Sequence, residues 1–288
     1  MKFRLLFVFS LMLISCNESH DDLLRIDQKS RVFVGGDRYG VKNSHGDIVV
    51  KPIWDLIADP ATLADDRLGV QIDGKFGFID AKGNVIVEVK WDYVSRFSNG
   101  LAPVGKDGKF GFIDLYGNIV IPLKYDGAGH FSDGLAPVRK NGKYGFIDTY
   151  GEIAISIEFH DAQPFSEGFA RVAIAPFKFG FIDTSGNFQT TPMWENAFRF
   201  SDGLAAVKIN DKWGFIDSKG DLVVEPKWKH VGNFRHGYAV VHDSPNPMDS
   251  KKGLINANGE IIFDLKWDHI ESRFDVDSST HVFVLEKQ

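Results

Sequence analysis

"KFGFIDAKGNVIVEV", residues 75–89, decides the fold, because its opening hexapeptide returns as "KFGFID" at 109–114, "KYGFID" at 143–148, "KFGFID" at 178–183 and "KWGFID" at 212–217. Within it, Phe76 and Phe78 share one face of an extended chain while Gly77 and Ile79 share the other. "DAKG" places Asp first and Gly fourth, as a type I turn prefers. "NVIV" then reads as a β-branched second strand.

The glycines of the K-aromatic-Gly triplet are Gly77, Gly111, Gly145, Gly180 and Gly214, with degenerate counterparts at Gly40 and Gly253. Their spacings are 37, 34, 34, 35, 34 and 39. A second landmark stands 14 residues after each glycine: Trp54, Trp91, Tyr125, Phe159, Trp194, Trp228 and Trp267. Variable length therefore falls between this aromatic and the next glycine, at "IADPATLADD" (57–66) and "DSPNPMDS" (243–250). After the aromatic comes "FSNGLAPV" (97–104), repeated as "FSDGLAPV", "FSEGFARV" and "FSDGLAAV". Its Asn-Gly or Asp-Gly step marks a turn and "LAPV" a third strand, joined to the next hexapeptide through a tight hairpin at "KDG" or "KNG". Pro103 and Pro137 offer no ladder N–H, so this third strand is expected at a sheet edge.

No helical 3.6-residue pattern of useful length interrupts these strands. The expected fold is all-β, with about seven tandem three-stranded antiparallel meanders of ~34 residues. A single meander buries no two-sided core, so neighbours must stack. Stacking as an open, twisted array is favoured over a closed propeller-like ring, because the outer units "RYGVKN" and "KKGLIN" lack the "GFID" ending. Units of this form, most closely "KWGFIDSKGDLVVEPKW" (212–228), resemble the WG (or KWG) β-repeat of bacterial proteins over residues 31–288. The resemblance implies a binding or structural repeat, often in lipoproteins and secreted proteins. It implies no reaction and no cofactor.

The N-terminal residues carry a different signal. Lys2 and Arg4 precede an apolar run, Leu5–Ile14, too short to span a bilayer, which takes ~20 residues. "LISC" then resembles a lipoprotein lipobox, with Cys16 the only cysteine in the chain. Residues 1–15 are read as a signal peptide, 16–30 as a lipidated cysteine with an acidic tether, and 31–288 as the repeat domain. The expected location is the bacterial cell envelope, with an outer-membrane anchor at Cys16. Loss of residues 1–15 would take the formal charge from −6 to −8 by removing two cations. Such a chain is not expected to bind nucleic acid through charge.

The closing carboxylates Asp80, Asp114, Asp148, Asp183 and Asp217 each begin a turn, which uses them without any catalytic or calcium role. No catalytic or metal site is expected, since the histidines lack ligand spacing and no nucleophile or zinc motif occurs. Most of the aromatic load (25 Phe, 7 Tyr, 6 Trp) is assigned to the core. The ligand candidates are Trp54, Trp91, Trp194, Trp228 and Trp267, whose rings could stack a glycan or peptidoglycan strand. The function expected is non-catalytic presentation of a repeat surface to a protein or peptide, with glycan binding as the alternative.

Overall fold

The computed structural model describes residues 26, 29–59, 65–244, 251–267, 269–275 and 280–286. The signal segment and Cys16 lie outside the described residues. Among the described residues every regular element is a strand, and the strands form eight antiparallel sheets in chain order. The third sheet shows the plan. A two-residue strand, Tyr93–Val94, pairs with Ala102–Lys106, which pairs with Lys109–Ile113, which pairs with Ile119–Tyr125. The second, fourth, sixth and seventh sheets repeat this four-strand order, whereas the first and fifth have three strands and the last has two. Each sheet is open, and among the described residues no strand of the first sheet pairs with the last.

The sheet boundary does not coincide with the sequence repeat. Each four-stranded sheet begins with the two-residue strand just after the aromatic landmark and ends on the following landmark. The Pro-containing strand is consequently internal, a correction to the edge position expected of it. Proline is tolerated because its inward neighbour is so short: the last ladder pair is Val94↔Val104, and beyond it the Pro103 carbonyl accepts from Ser95 N–H at 3.1 Å. The N–H that Pro103 lacks would fall where that strand has ended. The two insertions also fall at different points of the plan: one comes between the strands Leu56–Ile57 and Leu68–Ile72, the other between Tyr238–His242 and Lys252–Asn256.

Turn chemistry accounts for the connections. Asp107 and Gly108 have φ of 51° and 73°, as do Asn141 and Gly142 at 52° and 78°, the left-handed pair required by a two-residue hairpin. The carboxylate after the aromatic landmark ties this hairpin down. Asp126 accepts from Asn141 N–H at 2.8 Å and from Lys109 Nζ at 2.7 Å.

The core is a row of apolar clusters, each filled from neighbouring sheets. Phe112, Ile121 and Tyr125 of the third sheet pack with Ala136, Val138 and Ile147 of the fourth, with Phe131 between them. At the other end Ile26 is buried in the first cluster and donates its N–H to the Ala81 carbonyl at 2.6 Å. Ordered packing thus includes a residue of the segment read as tether.

Candidate functional site

The five candidate tryptophans come first. Trp54, Trp91, Trp194 and Trp228 are each at most 5% exposed and belong to four different core clusters. Trp267 is half-buried. Tyr125 and Phe159 occupy the same slot in the two remaining clusters. In register, the slot faces the aromatic before each hexapeptide glycine, as in Phe76↔Trp91 and Trp213↔Trp228. Lysine ammonium groups cover the outer faces of Trp91, Trp228 and Trp267 at 5.0–5.8 Å from the ring centroid. A stacking ladder needs open ring faces. Burial removes them at four of the five positions, so the slot is a joint between sheets and not a sugar platform.

The hexapeptide carboxylates are likewise consumed by local structure. Asp114 Oδ1 accepts from the N–H groups of Tyr116 and Asn118, both at 2.9 Å, and Oδ2 accepts from the Asn118 amide at 2.9 Å. Burial opposes ionisation of Asp114, but these donors outweigh it and hold its pKa below the ordinary carboxylate value. Among the described residues no group of three or more His, Cys, Asp or Glu side chains is placed to hold a metal ion.

The concave feature of the array lies elsewhere, along the links between each two-residue strand and the strand that follows it. These links carry the Phe-Ser-x-Gly motif, whose x residues (Asp133 at φ 51°, Glu167 at 55°, Asp202 at 53°) are left-handed. The motif buttons each sheet to the next. Ser166 and Ser201 donate Oγ–H to the carbonyls of Phe200 and Phe234 at 2.8 and 2.7 Å. Asp133 accepts from Gly168 N–H, Glu167 from Asp202 and Gly203 N–H, and Asp202 from Gly237 N–H, all at 2.7–2.9 Å. The turns are therefore fixed in a file. The residues just before each Phe, namely Arg96, His130, Pro164, Arg199 and Asn233, are brought around one cavity of about 970 Å³.

That cavity is cationic. Arg96, Arg139, Arg171 and Arg199 line it, against a single carboxylate, Asp126, which is already paired with Lys109. Arg96 Nη2 lies 3.0 Å from His130 Nε2. A guanidinium can only donate, so Nε2 accepts and the imidazole is neutral. Burial first, and then Arg96 and Arg199, push the His130 pKa below its ordinary value. Arg171 is braced by Asp161 at 2.6 Å, by the Ala197 carbonyl at 2.9 Å and by the Phe179 ring at 4.8 Å. Its Nε and the Asn233 Oδ1 are buried without a partner. Among the described residues Arg199 makes neither a hydrogen bond nor an ion pair. Sequence reasoning passed over this constellation because it followed what repeats. The usable signal was the opposite one, a position in a fixed frame that reads Arg, His, Pro, Arg and Asn in successive units.

Serially stacked antiparallel sheets, with their repeated side chains spent on turns and joints, define a β-repeat protein of a kind suited to interaction surfaces. The chain belongs to the WG containing repeat family, whose model matches residues 39–76, 76–110, 110–144, 144–174, 179–213, 213–241 and 253–275. No curated protein matches it by sequence. Its fold is similar to that of a crystal structure of a eukaryotic initiation factor, at TM-score 0.53 and 12% identity over 81% of this chain and 74% of that one. Two weaker likenesses are to BamB from Moraxella catarrhalis (TM-score 0.48, 16% identity, 83% and 85% covered) and to Kluyveromyces lactis Hsv2 (0.44, 10%, 91% and 95%). At these identities the likeness concerns the fold alone.

Proposed function

We propose that this is a lipid-anchored envelope protein that presents its repeat array to a protein or peptide partner and carries out no reaction. One observation carries the binding reading: a rigid frame, fixed by the same residues in unit after unit, holds unlike side chains, four of the five polar, at one equivalent position around one cavity. Variation confined to such a position gives a repeat scaffold its selectivity, as in other stacked-repeat proteins with extended concave surfaces. The anchor is supported by the lipobox-like "LISC" and by the lone Cys16. Two or more acyl chains there would give stable attachment where one would not.

The test is a membrane-fraction pull-down with the acylated protein, alongside Cys16→Ala expressed in the same cells. The proposal expects acyl labelling and membrane recovery of the parent and loss of both in the variant. It further expects a partner retained at stoichiometric level by the parent. Equal labelling of Cys16→Ala would overturn the anchor, and a chain recovered without any partner would overturn the binding reading.

A further inference from the structure

We propose that the arginine-lined cavity between the third and seventh sheets binds an acidic peptide segment, with Arg96 and Arg199 receiving its carboxylates and Asn233 receiving a backbone N–H. This deepens the reading above, resting on it only in taking the partner to be a polypeptide.

Charge is the first argument. The chain carries a formal charge of −6, yet four guanidinium groups line this cavity, against Asp126 in the lining and Asp161, which pairs with Arg171. Like charges collected in a concavity walled by protein focus field and raise the local concentration of oppositely charged ligand. Nothing in the fold requires the two outer arginines to be there. Arg96 and Arg199 are exposed, and the corresponding positions in the intervening and following units are His130, Pro164 and Asn233. Arg96 has only a neutral imidazole as partner, which leaves its charge uncompensated.

Unmet hydrogen bonds are the second argument. Buried polar groups are paired in the great majority of cases, and an exception calls for an explanation. Among the described residues seven buried side-chain atoms lack a partner, four of them Trp Nε1 atoms of the repeated slot, and two, Arg171 Nε and Asn233 Oδ1, belong to residues lining this cavity. One lacks an acceptor and the other a donor. A ligand satisfying both would present an acceptor oxygen to one and an N–H or O–H group to the other. A peptide bearing Glu or Asp side chains does so through its carboxylates and its main chain.

Size and wall chemistry are the third. The volume of about 970 Å³ lies near the upper end of the range for ligand cavities, and one inorganic anion would leave most of it empty. The walls include Tyr93, Phe110, Tyr144 and Phe198, which offer ring surface to the aliphatic parts of side chains. Arginine is also the cation best suited to carboxylates, through its planar two-pronged geometry.

The experiment uses the mature chain and a fluorescein-labelled hexapeptide of alternating glutamate and alanine, followed by anisotropy. An identical peptide with glutamine for glutamate is the control, and inorganic triphosphate is the competitor. The expected result is saturable binding of the glutamate peptide, weakening as salt is raised, with no binding of the glutamine peptide. The double variant Arg96→Gln, Arg199→Gln should bind at least about tenfold more weakly, the scale of losing charged hydrogen bonds. Its melting temperature should match the parent, since both side chains are exposed. Equal affinity in the double variant, or equal binding of the glutamine peptide, would overturn the proposal. Displacement by triphosphate at concentrations below those at which the unlabelled peptide displaces would assign the cavity to phosphate and overturn it as well. A double variant that fails to bind the peptide yet still retains the partner in the membrane pull-down would overturn this cavity as the docking point while leaving the wider binding reading intact.

Discussion

The rings of Phe112 and Phe131 lie 4.9 Å apart, one from the hexapeptide strand of the third sheet and the other from the Phe-Ser turn between the first two strands of the fourth. The same contact recurs as Phe78–Phe97, Phe146–Phe165, Phe181–Phe200 and Phe215–Phe234 at 4.7–4.9 Å. It is the joint of the array, and the turn that it anchors also carries the residues lining the cationic cavity. Phe112→Ala should cost about 3–5 kcal/mol, the range for emptying a buried aromatic site. With Phe131→Ala added, the total should fall short of the sum of the singles by about 0.5–1.5 kcal/mol, the worth of an aromatic pair. Urea unfolding of the two singles and the double gives both quantities, and strict additivity would count against a pairwise joint.

Gly111 tests a different part of the same strand. A Cβ there would lie 2.4 Å from the Ile121 carbonyl oxygen and 2.8 Å from the Pro122 main chain. The approach is close because the partner strand bulges, with Phe110↔Tyr125 followed by Phe112↔Ile121. Gly111→Ala should therefore destabilise by about 1–3 kcal/mol, the cost of overpacking against an unyielding neighbour, and Gly111→Val by more. Gly142→Ala meets nothing within 4 Å but sits at φ +78°. It should lose only the ~1–2 kcal/mol of left-handed strain. Thermal melts in which Gly142→Ala lowers the melting temperature more than Gly111→Val does would undercut the close-approach account.

The fold was legible in the sequence to the extent that physical chemistry repeated itself. Gly77 and its counterparts, and the aromatic 14 residues on, announced the unit because one bulged strand pair ties them together in every sheet. Pro103 misled because a proline in a strand signals an edge only when the neighbouring strand is long, and the length of that neighbour is set by tertiary packing. Trp91 and Trp228 stayed ambiguous because a ring under a lysine stem and a ring awaiting a ligand read alike in one dimension. Arg96 and Arg199 were invisible for another reason. They are 103 positions apart in sequence and share a site only because the sheets stack.

Asp114 separates a turn role from a chemical one. The outer units place Asn at the equivalent position, and it makes the same bonds: Asn43 Oδ1 accepts from His45 and Asp47 N–H at 3.1 and 2.9 Å, and Asn256 Oδ1 from Asn258 and Glu260 N–H at 3.0 Å. An uncharged side-chain oxygen therefore suffices. Asp114→Asn should cost well under 1 kcal/mol, whereas Asp114→Ala should cost about 1–2 kcal/mol, as for loss of a capping oxygen. Denaturant titration of the pair decides it, and equal losses would mean that the charge itself is required.

His130 makes the cavity sensitive to pH, with a definite sign. Its folded pKa lies below the ordinary 6.5, through burial first and then the nearby Arg96 and Arg199 charges. Between the folded value and about 6.5 the unfolded chain binds the extra proton, so stability rises with pH across that window. Stability is complete above about pH 6.5 and falls as the solution is acidified toward the folded pKa, below which this group contributes no further change. Protonation would also place a second cation against Arg96 Nη2, breaking the 3.0 Å bond in which Nε2 is the acceptor. His242 shifts in the same direction, through burial, His230 and Lys252, so it adds a second source to the parent slope. His130→Gln retains an acceptor for Arg96 but cannot titrate. Between pH 7.5 and 5 its melting temperature should fall by less than the parent's, with His242 contributing to the slope that remains. Superimposable pH profiles for the two proteins would show that the Arg96–His130 contact carries no proton linkage.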